Sequence, residues 1–154
     1  MVPLLVLHLL GWAGGLPPPP PDTASQAPGV VCVVANLHGD PPAPDVEMVR
    51  RIFQLRQRFW PDGTPTRPVN LPAASPVRER FTEVVFGESV EDMAAYWNER
   101  YFHGTRPPPS LGSEQAVLLY VARTKGAVGY VQADTAAALP EGVRKLICVG
   151  GGTG

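Results

Sequence analysis

Apolar residues follow two rhythms along this chain. Val30, Val31, Cys32, Val33 and Val34 form an unbroken apolar run, the pattern of a strand covered on both faces. After a loop from Asn36 to Pro44 the spacing changes. Val46, Met48 or Val49, Ile52, Phe53 and Leu55 or Phe59 recur at helical intervals, with Asp45 placed as the N-cap and Arg50, Arg51, Arg56 and Arg58 mostly on the wet side. Trp60-Pro61-Asp62-Gly63 is a turn that ends this helix, and Trp60 is suited to plug the side of a core. Arg67 to Leu71, with Pro68 near its start, predicts a short strand at an edge or beside a short partner.

The helical rhythm then returns three times, each time behind a serine. Ser75 is an N-cap, Pro76 holds the favoured first helical position, and Phe81, Val84 and Val85 carry the apolar side to about Phe86, where Gly87 closes the helix. Ser89 with Asp92 predicts a capping box for a helix through Met93, Trp97 and Tyr101. Gly104 to Pro109 is a rigid loop, and Ser113 caps a helix through Val117, Leu118 and Val121. In Thr124 to Val131, Lys125-Gly126 is a turn signal. Ala127, Val128, Tyr130 and Val131 follow as a buried strand, and Gly129 in its middle signals a bulge or a close backbone approach. The rest of the chain is organised around this stretch. Arg144 to Val149 is the last strand. The Gly-rich tail 150–154 has the glycines of a phosphate-cradling loop, but no helix follows to supply a dipole. Strands alternating with helices argue an α/β sandwich.

Length and composition narrow this picture. A chain of 154 residues is one domain, and a net charge of -1, from 13 basic and 14 acidic residues, supplies neither a basic face for nucleic acid nor a polybasic membrane patch. Residues 1–16 are apolar except for His8, and shorter than the roughly 20 residues that span a bilayer. They read as a signal peptide, although no Lys or Arg precedes the apolar core. Residues 17–28 read as a Pro-rich linker and 29–149 as the folded domain, so the expected location is periplasmic or secreted, with no stable membrane span once the signal is removed. Cys32 and Cys148 fall in the first and last strands. They stand either as two buried thiols or, if those strands are neighbours presenting both residues on one face, as a disulfide. No Gly-x-Ser-x-Gly, His-Glu-x-x-His or Walker lysine motif is present, and His8, His38 and His103 offer no evident general base. The expectation is a protein that is not an enzyme, with no metal and no cofactor.

Arg51-Ile52-Phe53, Phe59-Trp60-Pro61-Asp62-Gly63, Ser75-Pro76-Val77-Arg78-Glu79-Arg80-Phe81, Tyr96-Trp97 and Phe102-His103-Gly104 stand in that order ahead of Tyr120 to Val131. Together they resemble the phosphate-type substrate-binding proteins of ABC transporters, in the type 2 periplasmic-binding-protein superfamily, over roughly Val30 to Val149. The resemblance is to short, single-lobe forms. It implies an α/β three-layer sandwich, one lobe of that fold, with a mixed central sheet flanked by helices, and it makes the tryptophan matching Trp60 structural. It also implies capture of a small oxyanion such as phosphate, with Ser75 matching the family's serine; the N-H groups of Val77 and Arg78 and the Arg78 side chain, which is not at the family's arginine position, complete the candidate site.

The departures from the family pattern are specific. Where the family opens this helix with Ser-Gly-Thr after an arginine, Pro76 removes an N-H donor, Val77 removes a hydroxyl and Leu71 stands about where the arginine belongs. Charge-assisted hydrogen bonds contribute about 1.5–3 kcal/mol each, so losing two moves a micromolar ligand toward millimolar. One lobe also cannot close around a ligand; it needs a partner chain, self-association or a shallow site. The alternative is a module whose ligand site has degenerated and which binds or senses through a transporter or other envelope protein. The surface around Ser75 discriminates: a concave basic pocket favours capture, an exposed apolar patch favours a partner.

Overall fold

The computed structural model describes residues 29–40 and 43–151. In chain order these form β1 (Val31–Ala35), α1 (Val46–Phe53), β2 (Arg67–Pro68), α2 (Pro76–Phe86), α3 (Val90–Phe102), α4 (Glu114–Arg123), β3 (Ala127–Gln132) and β4 (Arg144–Val149), with a 3-10 turn at Thr135–Ala137. The expected signal peptide, the Pro-rich linker, Pro41-Pro42 and the end of the Gly-rich tail lie outside the described residues.

The two-residue alternation of β3 sets the layers. Ala127, Gly129 and Val131 point to one face and Val128 and Tyr130 to the other. Gly129 lies under α4, against Val117 and Val121. Tyr130 lies under α2 and α1, its ring stacked on Phe81 at 3.8 Å and 5.7 Å from Phe53. The sheet is thus sandwiched between α4 and the α1–α2 pair, with α3 packed on α2. Strand order is β2-β3-β1-β4, with β1 antiparallel to both neighbours and β2 parallel to β3, a mixed sheet as the resemblance implies. The unbroken apolar run of β1 is explained by its place between two strands and two helical layers, where no residue from Val31 to Ala35 exceeds 2% exposure.

Gly129 marks a close approach and not a bulge. The β1–β3 register runs without interruption past it, while a β-carbon there would stand 2.5 Å from Val117 Cγ1. The sheet's irregularity lies instead between β1 and β4, where the register shifts between Val33 and Val34.

The three serine caps form as the sequence predicts. Ser75, Ser89 and Ser113 accept from the N-H groups of Arg78, Asp92 and Ala116, and the Ser89–Asp92 box is reciprocal. Helix α1 departs from expectation. It ends at Phe53, not near Phe59, because Leu55 adopts a left-handed φ of 58° and the following backbone folds back. Arg56 N-H donates to the Arg51 carbonyl and Leu55 N-H to the Ile52 carbonyl, the two bonds of a Schellman stop. Phe59 consequently leaves the apolar helix face and pairs with Pro65 across the Trp60–Thr64 turn, where it is exposed. The stop was hidden because leucine occupies a position usually held by glycine. Left-handed backbone costs an L-residue about 1–2 kcal/mol, part of which the half-buried leucine recovers by packing. Leu55→Gly is therefore expected to raise stability by about 0.5–1 kcal/mol, read as a melting temperature higher by about 2–4 °C.

Trp60 plugs the core as expected. It is buried, and its indole N-H donates to the Gly126 carbonyl at 2.9 Å. Cys32 and Cys148 face each other in the β1–β4 register and are joined by a disulfide. The reading of two buried thiols is thereby corrected: β4 is an edge strand, so Cys148 is exposed while Cys32 is buried.

Candidate functional site

Strands β2 and β3 run parallel, so the chain following β2 and the end of β3 reach the same side of the sheet. Helices α2 and α4 begin there. Between their N-termini lies a cavity of about 470 Å³ lined by Leu71, Ser75, Pro76 and Val77 from one side and Ser113, Glu114, Gln115 and Gln132 from the other. A crevice outside the carboxyl ends of strands, flanked by helix N-termini, is the usual ligand position in open α/β sheets. Of the residues expected from sequence to bind, Ser75 and Val77 line this cavity.

Its chemistry is that of backbone donors without a cation. Pro76 has no N-H, and Ser75 Oγ takes the Arg78 N-H at 3.4 Å. Among the described residues, no acceptor is bonded to the first-turn N-H groups of Val77, Glu114 or Gln115. These orphan donors and the aligned peptide dipoles favour an anion. Glu114 opposes this. Its carboxylate accepts the Gln132 N-H at 2.6 Å and lies in the cavity wall, which contains no Arg, Lys or His. Leu71, in the place of the expected arginine, contributes only buried apolar surface.

Arg78 turns away from this cavity. Its Nη1 donates to the Leu71 carbonyl at 2.9 Å and to Ser110 Oγ at 3.3 Å, and the side chain faces a space of about 20 Å³ shared with Asn70, Thr82 and Trp97. That space has room for one water. Behind the wall, Tyr130 hydroxyl donates to Asn70 Oδ1 at 3.1 Å and accepts the Leu71 N-H at 3.2 Å. Burial pushes this hydroxyl far above the usual tyrosine range, against smaller opposing effects of the Leu71 N-H and the Arg78 charge, so it remains a donor. The wall carrying Leu71 is thus fixed from β3 and from α2 together.

Sequence reasoning located the α2 half of the site and missed the α4 half. Glu114, Gln115 and Gln132 gain meaning only because the short connection from α4 to β3 runs the two antiparallel, which brings the helix start beside the strand end. The Ser113 cap was the available signal. Elsewhere on the surface, Tyr101 and Phe102 at the end of α3 are exposed, Phe102 at 86%. Among the described residues no cluster of three or more His, Cys, Asp or Glu could hold a metal, and no helix is long and apolar enough to cross a membrane.

No protein-family model and no curated protein matches this chain. Solved structures do. An ABC-type phosphate transport receptor from Vibrio cholerae matches with a TM-score of 0.55 at 16% identity, over 75% of this chain and 44% of that one. A putative phosphate ABC transporter substrate-binding protein with bound phosphate from Clostridium perfringens matches with a TM-score of 0.56 at 16% identity, over 75% of this chain and 43% of that one. The chain therefore spans less than half the length of either. What it shares with these phosphate-type substrate-binding proteins is the fold: a mixed α/β sandwich equivalent to part of theirs.

Proposed function

We propose that this chain is an exported, periplasmic or secreted binding domain of the phosphate-type substrate-binding fold, associated with ABC transport, which captures a small oxyanion where α2 and α4 begin. The observation that carries this reading is the convergence of two serine-capped helix N-termini on one cavity of about 470 Å³ at the carboxyl ends of parallel strands. Ser75, with the N-H groups of Val77, Glu114 and Gln115, supplies the donors; Arg78 holds the wall through the Leu71 carbonyl. Binding by backbone donors without a cation, beside a carboxylate, is expected to be weak, in the high micromolar to millimolar range.

Isothermal titration of the full chain with phosphate and sulfate at low salt, against a chloride control, tests this. Saturable heat is expected. Glu114→Gln keeps the acceptor for the Gln132 N-H and removes the charge, so phosphate affinity should rise about tenfold, equivalent to about 1.4 kcal/mol. No heat up to several millimolar from folded wild-type and variant would abandon oxyanion capture.

A second reading is a module whose ligand site has degenerated and which engages a transporter or another envelope protein. It is favoured by the Glu114 carboxylate in the cavity wall, by Arg78 being committed to Leu71 and Ser110, and by the exposed Tyr101 and Phe102.

A further inference from the structure

We propose that the Cys32–Cys148 disulfide is a redox latch on the edge strand β4, whose reduction releases that strand while the β2-β3-β1 sheet and its helices stay folded. The bond ties two very different environments. Cys32 lies at 2% exposure within β1, which is buried throughout; Cys148 lies in β4, where among residues 144–149 only Val149 is buried. Strand β4 pairs with β1 alone, and even that pairing is broken by the register shift between Val33 and Val34. Its other polar holds are few and peripheral. Arg80 Nη2 donates to the Gly150 carbonyl at 2.7 Å, and Arg144 reaches the Gly39 carbonyl and the exposed Asp40 carboxylate. An exposed ion pair of that kind contributes about 0–1 kcal/mol.

β4 adds Val149 to the rim of the core, with Leu146 and Ile147 half-buried against it, but the centre of the core is built elsewhere. The aromatic cluster of Phe53, Phe81 and Tyr130 is built from α1, α2 and β3, and the packing under α4 from β3 and β1. Segments with few buried apolar side chains and exposed backbone hydrogen bonds open first. Here the covalent bond closes a span of 116 residues and removes that option. Opening would leave Val31–Ala35, an apolar strand without charge, proline or glycine, with one free edge.

The reduction itself needs an external dithiol. Its thiolate attacks the Cys148 sulfur, on the exposed side of the bond; a new sulfur–sulfur bond forms and the Cys32–Cys148 bond breaks, releasing Cys32 as a thiolate that takes up a proton. The second thiol of the reagent, deprotonated, then displaces Cys148 as a thiolate, which is protonated in turn. The reagent leaves as a cyclic disulfide, oxidised by two electrons, and the protein has gained two thiols.

Arg144 and Lys145 place trypsin sites within β4, and Arg56 and Arg58 place others in the α1–β2 connection. The full chain, prepared oxidised, is digested briefly with and without dithiothreitol, and amide exchange is followed by mass spectrometry. The latch predicts cleavage after Arg144 or Lys145 at least about tenfold faster on reduction, against unchanged cleavage after Arg56 and Arg58. Protection should be lost in β4 and kept in Ala127–Gln132 and Pro76–Phe86. Cys148→Ser should behave as the reduced protein without any reductant. Unchanged β4 cleavage, or loss of protection in β3 and α2 together with β4, would overturn the proposal.

Discussion

Gly126→Ala is expected to destabilise the protein by about 3–5 kcal/mol, more than a glycine-to-alanine exchange at an ordinary turn. The backbone there has φ +78°, which costs a residue with a β-carbon about 1–2 kcal/mol. The larger part is steric. A β-carbon at this position would stand 2.1 Å from the Pro65 carbonyl oxygen and 2.8 Å from Thr64 Cγ2. The first of these is backbone and cannot rotate aside. Relieving the clash means moving the segment before β2 away from the segment before β3; two hydrogen bonds cross that junction, and a third ties Gly126 to the loop after β1. Gly126 carbonyl accepts from Trp60 Nε1 and from the Arg67 N-H, and Gly126 N-H donates to the Asn36 carbonyl. A buried donor left unpaired costs about 1–3 kcal/mol, and the Trp60 indole is such a donor. Thermal unfolding followed by circular dichroism should show a melting temperature lower by on the order of 10 °C or more. A fall of only one or two degrees would mean that the Trp60 loop is not anchored at Gly126.

Gly126 also shows how far the sequence could be read. Lys125-Gly126 announced a turn, and Trp60 announced a plug for the core, but nothing local says that the plug is fastened to the turn. That link joins residues 66 positions apart. The same boundary recurs elsewhere. β1 and β3 were legible from their apolar runs, and α2 to α4 from helical apolar spacing behind a chemically distinct start, Ser75, Ser89 and Ser113 being side chains that satisfy first-turn N-H groups. The end of α1 was not legible, since Leu55 adopts the left-handed conformation without the glycine that usually marks it. Gly129 was legible as an anomaly, and its cause, the approach of α4 through Val117, was not.

At the candidate site the division follows the same physics. Ser75 was found because capping is local. Glu114 and Gln132 were not, because their neighbourhood is created by the antiparallel run of α4 against β3. The direction of Arg78 could not be read either: its side chain is drawn to the Leu71 carbonyl and Ser110, groups placed by the loops on either side of the cavity. For the cysteines the pattern gave the strands, while the order β3-β1-β4 decided that they meet.

Phe81→Ala is expected to cost about 3–5 kcal/mol, the range for deleting a fully buried aromatic ring. Phe81 is 1% exposed, stacks on Tyr130 at 3.8 Å and meets Phe53 and Phe86 edge-on at 4.9 and 6.1 Å. The cavity opened by truncation is bounded by these rings, which are held from three different elements and cannot all collapse into it. The consequence reaches the site, since Tyr130 carries the hydroxyl that accepts the Leu71 N-H and donates to Asn70. Tyr130→Phe separates the two effects. It keeps the stack and removes only the hydroxyl, leaving the buried Leu71 N-H without its acceptor, so it should cost about 1–3 kcal/mol. Urea unfolding of the two variants should rank Phe81→Ala as the more damaging. If Tyr130→Phe instead matches or exceeds it, the hydroxyl network and not the aromatic stack holds the wall between the core and the cavity. In either order, the wall bearing Leu71 is positioned from the core side, so the cavity depends on packing that its own lining residues do not supply.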